Sequence, residues 1–177
     1  MDYRKALPIA EQIVDYLRPA CERISIAGSL RRKRPFIGDI EIVCKPLFTP
    51  FEAFEPKVSQ AIREGLLERG PASTAMAKAP DGPRYKRLAY RATGVWIQVD
   101  VFIVRPPADF GVIYAIRTGS STYSHWLVTQ ALLKGMKVSE GQLFRLTPKT
   151  ELIRCPEEEG FFRVLGVPCL PPEKRER

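Results

Sequence analysis

Residues 28–42 read Gly-Ser-Leu-Arg-Arg-Lys-Arg-Pro-Phe-Ile-Gly-Asp-Ile-Glu-Ile, and the interpretation of the chain turns on the last four of them. They open a strand expected over Asp39 to Cys44. Side chains alternate along a strand, so Asp39 and Glu41 share one face while Ile40 and Ile42 take the other. Two carboxylates side by side raise each other's proton affinity, and a divalent cation relieves that cost. A solvent-facing acidic sheet edge gives the same pattern.

A second stretch, Trp96-Ile97-Gln98-Val99-Asp100-Val101-Phe102-Ile103, places one acid in an otherwise apolar run. A buried, unpaired carboxylate costs several kcal/mol, so Asp100 needs a partner. A metal shared with the neighbouring acidic strand would serve, and so would an ion pair to Arg87 or Arg91. Three acids on two strands suggest a two-metal site, in which ions about 3.5 to 4 Å apart activate a hydroxyl and neutralise a leaving pyrophosphate. The triphosphate would need donors. Gly28-Ser29-Leu30-Arg31-Arg32 offers a close-approach glycine, a hydroxyl, backbone amides and guanidinium forks. Taken alone, that segment is also a common turn followed by a solvated basic face.

The rest of the chain supplies the frame. Ala6, Ile9, Ala10, Ile13, Val14 and Leu17 recur at helical spacing before Pro19. A strand is expected over Ile24 to Ala27, then a turn at Gly28-Ser29 that carries the arginines. Thr49-Pro50-Phe51-Glu52 reads as a capping box opening a helical stretch to near Gly70, with Pro56 as a point where it would split. An exposed loop is expected from Ala72 to Arg84, then strands over Tyr85 to Ala92 and Val95 to Val104 joined by a Thr93-Gly94 turn. Pro106-Pro107 marks the boundary of a second, smaller domain. Beyond it come two helices, a hairpin around Glu140-Gly141, a helix near Glu157 to Leu165, and a tail from Pro171 to Arg177 expected to fray or lie on the surface.

Totals narrow the partners. The 177 residues are 45% hydrophobic, enough for one good core or a main domain plus a small one. A formal charge of +8 concentrates polyanions, and nucleic acid is the first partner it suggests, although charge alone does not decide this. Four scattered cysteines and one histidine disfavour a zinc site. No apolar run approaches the roughly 20 residues of a membrane span, and charges interrupt the N-terminal stretch. A cytoplasmic, reducing location is expected.

The stretch Gly28 to Ile42 resembles the active-site signature of X-family (DNA polymerase beta-like) polymerases. The resemblance continues through VDVF at Val99–Phe102, TGS at Thr118–Ser120, LLKGMKVSEG at Leu132–Gly141 and GFFRVLGVPCLPPEKRE at Gly160–Glu176. It implies an α+β fold: a nucleotidyltransferase palm over 1–107, with a mixed sheet and flanking helices, and a small α/β thumb-like domain over 108–177 that closes over the nascent base pair. Asp39, Glu41 and Asp100 match the metal-binding and catalytic triad for two magnesium ions, manganese being the alternative, with Asp100 beside the primer 3′-hydroxyl. Gly28, Ser29, Arg32 and Gly38 match positions around the nucleotide phosphates, and Gly119 lies in the turn facing the sugar.

Where the chain departs from the family, function shifts with it. Glu41 stands where aspartate is usual. Ile116-Arg117 replaces a Tyr-Phe pair that disfavours ribonucleotides, so sugar discrimination is expected to be weak and Arg117 to reach the phosphates or sugar. Ser124 replaces an asparagine near the incoming base and Val128 a template-contacting arginine, which implies modest fidelity. The chain starts at the palm's first helix, as in compact viral members, so its basic residues Arg31, Lys33, Arg34, Arg84, Lys86 and Arg87 are the candidates to grip DNA. The expected activity is addition of deoxynucleotides to primed or gapped DNA by a monomer, as in short-gap repair. Template-independent transfer, and non-catalytic nucleic-acid binding, are the alternatives.

Overall fold

A computed structural model describes residues 1–47, 53–70, 80–92, 94–146 and 148–177. It is a mixed α/β structure that divides into two compact units, Met1–Ile103 and Val104–Arg177.

The first unit opens with helix α1 (Tyr3–Leu17), N-capped by the Asp2 carboxylate, which accepts the Arg4 N–H. Its buried stripe is Ala6, Ala10, Ile13, Val14 and Leu17. Strand β1 (Cys21–Ile26) follows, then the one-turn helix α2 (Gly28–Arg31), strand β2 (Asp39–Pro46), helix α3 (Phe54–Arg63), and strands β3 (Glu68–Arg69), β4 (Tyr85–Ala92) and β5 (Val95–Ile103). The strands form one sheet in the order β1-β2-β5-β4-β3. It is a mixed sheet, because β2 and β5 run parallel while the other pairs are antiparallel.

One face of the sheet is the core. Ile40 and Ile42 of β2, Leu88 of β4, and Val99, Val101 and Ile103 of β5 pack there with the buried stripe of α1 and with Phe54, Val58 and Ala61 of α3. Each buried aliphatic side chain contributes about 1.5–3 kcal/mol, so the register that places this alternating set inward is strongly fixed. The opposite face is thereby left to Asp39, Glu41, Gln98 and Asp100.

Several local expectations are corrected. The segment at Gly28-Ser29 is a helical turn, not an open one. Pro56 does not split α3, since it lies in the first turn, where its missing N–H has no partner to lose. Nor does α3 reach Gly70. The Gly65 N–H bonds the Ile62 carbonyl and the Leu66 N–H the Ala61 carbonyl, with Gly65 at φ 77°, and this C-terminal motif stops the helix. The chain then turns into β3, which pairs with β4. The capping box at Thr49 to Glu52, most of the Ala72 to Arg84 loop, and Thr93 lie outside the described residues.

In the second unit, α4 (Phe110–Thr118) and α5 (Ser121–Leu133) are followed by a sheet of β6 (Met136–Ser139), β7 (Gln142–Arg145) and β8 (Glu151–Ile153), and by α6 (Glu158–Leu165). The β6–β7 hairpin turns at Glu140-Gly141, both with positive φ (52° and 77°), as a tight two-residue turn requires. Val112, Ala115, Tyr123, Leu127, Phe161, Phe162 and Leu165 form a separate core.

The C-terminal tail is not frayed. Arg175 is 1% exposed, and its guanidinium bonds both oxygens of Glu158 (2.8 and 3.3 Å) and the Leu170 carbonyl (2.7 Å) while lying 4.8 Å over the Phe162 ring. Its own carbonyl accepts the Ser120 N–H at 3.0 Å. The Arg177 guanidinium stacks on Trp126 at 3.9 Å. Thus a charged segment that looks like a loose end is fastened to the turn between α4 and α5.

Candidate active site

The parallel pairing of β2 and β5 sets Asp39 opposite Gln98 and Glu41 opposite Asp100. On the other side of β5, Arg87 of β4 is the partner of Asp100 and Tyr85 of Phe102. Cross-strand partners share a face, so Glu41, Asp100 and Arg87 form one row across three strands. Asp39 and Gln98 form the adjacent row. The three acids thus stand together on the sheet face away from the helices.

Asp100 is 6% exposed and fully engaged. Its Oδ1 accepts from the Tyr85 hydroxyl at 2.9 Å and from Arg87 Nε at 3.2 Å, and its Oδ2 accepts from Gln98 Nε2 at 3.0 Å. Burial first, and then the Asp100 carboxylate, push the Tyr85 phenol above its ordinary value, which keeps it a donor. Of the two candidate ion-pair partners, Arg87 is the one used, while Arg91 pairs with Glu68 at 3.1 Å. Tyr85 and Gln98 were not singled out from sequence, yet counting back from a two-residue turn at 93–94 pairs Ala92 with Val95, and so Arg87 with Asp100 and Tyr85 with Phe102.

Asp39 is half-buried, and its carboxyl is held above the usual carboxylate range, first by burial and then by the charge of Asp100. A folded-state value above the unfolded one means this group's contribution to stability is fully present below the unfolded pKa and is lost as pH rises through the folded value. Asp39→Asn is therefore expected to melt above the wild type at pH 7 without divalent cations, with the gap closing as the pH falls to about 4. Thermal melts across that range check it. A neutral-pH melt unchanged by the substitution would contradict it.

Glu41 is placed by a glycine. Gly28 has φ 58°, and a Cβ there would come within 1.8 Å of Glu41 Oε2. The Ala27 N–H also bonds the Glu41 carbonyl at 2.8 Å, which ties the entry to α2 to β2. Gly28→Ala is expected to cost about 1–2 kcal/mol for the left-handed backbone, a loss that chemical denaturation would read. The same Cβ would displace the Glu41 carboxylate from its place on β2. The Ser29 hydroxyl oxygen, in the first turn of α2, is buried with no hydrogen-bond partner. Arg32 is the C-cap of α2 and is half-buried. Gly38 is exposed, and a methyl group at its Cα would meet nothing within 4 Å.

The other expected site residues divide. Arg31 is half-buried and Lys33, Arg34 and Arg84 are exposed. Lys86 is not on the surface: one residue from Arg87, it points to the helix-covered side of the sheet, is 4% exposed, and bonds Asp81 (2.6 Å) and Glu55 of α3 (2.9 Å). In the second unit, Arg117 is exposed in the last turn of α4, Gly119 caps that helix, and the Ser124 hydroxyl donates to the Ile116 carbonyl.

Three carboxylates in adjacent sheet positions are a donor set that suits magnesium or manganese. Among the described residues, convergence of three ligand atoms within 4.8 Å occurs at Glu158, Glu159 and Cys169 rather than at Asp39, Glu41 and Asp100. Glu158 is already neutralised by Arg175, and Asp100 is turned to Arg87.

Residues 114–176 match the family model of the DNA polymerase beta thumb. The match runs from within α4 to the fastened tail, so the second unit is thumb-like from Tyr114 onward. No curated protein matches the chain. None of the described helices is long and apolar enough to cross a membrane.

Proposed function

We propose that the chain is a magnesium-dependent nucleotidyltransferase of the X-family type, which extends a DNA primer by one deoxynucleotide at a time. The observation that carries this reading is the grouping of Asp39, Glu41 and Asp100 on one face of β2 and β5, in a chain whose residues 114–176 match a DNA polymerase thumb. In this reading the first unit is the palm, and the thumb-like unit closes over the nascent base pair.

Asp39 and Glu41 would hold two divalent ions, with Asp100 completing the set. When bound, such ions would supply charge neutralisation at the phosphates and a lowered pKa for the primer hydroxyl. Asp100 takes the proton as the primer oxygen bonds the α-phosphorus and the bond from that phosphorus to the pyrophosphate breaks. Tyr85, Arg87 and Gln98 fix the orientation of Asp100 through the hydrogen bonds described above. The Ser29 hydroxyl, lacking any partner, and Arg32 receive the triphosphate, and the open backbone at Gly38 admits it closely. Arg117, Gly119 and Ser124 serve the sugar and base. Without a Tyr-Phe pair beside Gly119, ribonucleotides are weakly excluded.

Incubating primed, gapped and single-stranded DNA with each nucleotide and magnesium or manganese tests the proposal. Extension that follows the template base is expected. Base-independent tailing would make the enzyme a template-independent transferase. DNA binding without turnover would mean that the Arg87–Asp100 pair is purely structural. Ribonucleotides in the same assay are expected to be used within about tenfold of deoxynucleotides, since the contacts that would reject a hydroxyl are missing.

A further inference from the structure

Phe36 is 80% exposed, yet the backbone on either side of it is held. The Tyr3 N–H donates to the Pro35 carbonyl at 3.1 Å and the Ile37 N–H to the Met1 carbonyl at 2.7 Å. The Met1 ammonium donates to the Ile37 carbonyl at 2.6 Å, and Asp2 and Phe36 pair as an antiparallel bridge. Ile37 is 1% exposed and belongs to the core of the unit. With Ile37 anchored inward on an extended backbone, Phe36 must point outward.

A lone exposed apolar side chain is ordinary. What distinguishes this ring is its setting. Arg31, Arg32, Lys33 and Arg34 precede it, with no acid between Gly28 and Gly38. Arg4 and Lys5, both exposed, follow the paired Asp2 in the first turn of α1. A rigidly presented aromatic face beside a cationic run is the combination by which proteins bind single strands, with phosphates on the cations and a base on the ring.

We propose that Phe36 is a stacking platform for an unpaired base of a DNA strand whose phosphates meet Arg31, Lys33 and Arg34. A base within a duplex has no free face to offer, whereas a base of a single strand does. The inference rests on DNA as partner, not on transferase activity, so binding tests it even if no nucleotide is incorporated.

Fluorescence anisotropy with labelled oligothymidylate, a blunt duplex and free dTTP separates the sources. Phe36→Ala is expected to weaken oligothymidylate binding by about tenfold or more while leaving the duplex, dTTP and the melting temperature unchanged. Phe36→Trp should retain affinity. Phe36→Leu, equally apolar but without a ring, should lose it. Equal affinity of Phe36→Ala and wild type for oligothymidylate, an equal loss for the duplex, a loss confined to dTTP, or no binding of single strands by the wild type would each overturn the proposal.

Discussion

Asp100→Asn is expected to slow nucleotide incorporation by about 10³-fold, the range seen when a positioned general base is lost. The amide keeps the shape of the side chain and its Oδ1 still accepts from Tyr85 and Arg87, so the fold should survive. On the proposed reading, what disappears is the proton acceptor and one of three charged ligands. Gel-resolved extension of a labelled primer, with DNA affinity measured alongside, checks both halves. Loss of incorporation with retained DNA binding supports the assignment. A variant that incorporates at a tenth of the wild-type rate or better would reduce Asp100 to a structural partner of Arg87.

The second large effect concerns stability. Arg175→Ala removes the ion pair to Glu158, which is 6% exposed, together with the donor to the Leu170 carbonyl and the cation over Phe162. Breaking one side of a buried pair costs about 3–5 kcal/mol. Chemical denaturation is expected to show a loss of that size in the thumb-like unit, monitored at Trp126. Arg175→Lys should not rescue it, because one ammonium cannot reproduce the planar fork that reaches both Glu158 oxygens. Arg175→Met with Glu158→Gln should recover part of the loss, since no uncompensated charge remains. A single-substitution cost below about 1 kcal/mol would mean that the tail is held by its backbone contacts instead.

The sheet and its acidic face were legible because both follow from a period of two. Alternation along Asp39-Ile40-Glu41-Ile42 and along Trp96 to Ile103 separates core from carboxylates without any tertiary knowledge. Burial of the aliphatic set then fixes the register that the pairing of Glu41 with Asp100 requires. Helix α1 was legible for the same reason at a different period.

Interactions distant in sequence were not. Nothing local marks Arg175 as the partner of Glu158, so a proline-rich charged tail reads as loose. The same blindness applies to Lys86, which reads like the other basic residues around it until the fold sends it toward Glu55 on α3. The two-residue strand β3 and the three-residue β8 are too short to carry a periodic signal. The choice between Arg87 and Arg91 was available in principle, but it hung on trusting a two-residue turn and counting outward from it.

Manganese binding tests the central claim most directly, namely that Asp39, Glu41 and Asp100 form a divalent-cation site rather than an ion-paired acidic face. Free manganese is read by electron paramagnetic resonance as the protein is titrated, with and without a deoxynucleoside triphosphate, after subtracting the nucleotide's own binding. The wild type is expected to bind the ion, and Asp39→Asn and Glu41→Gln to weaken binding by about tenfold or more. Absence of binding by the wild type, or equal binding by all three proteins, would contradict the assignment.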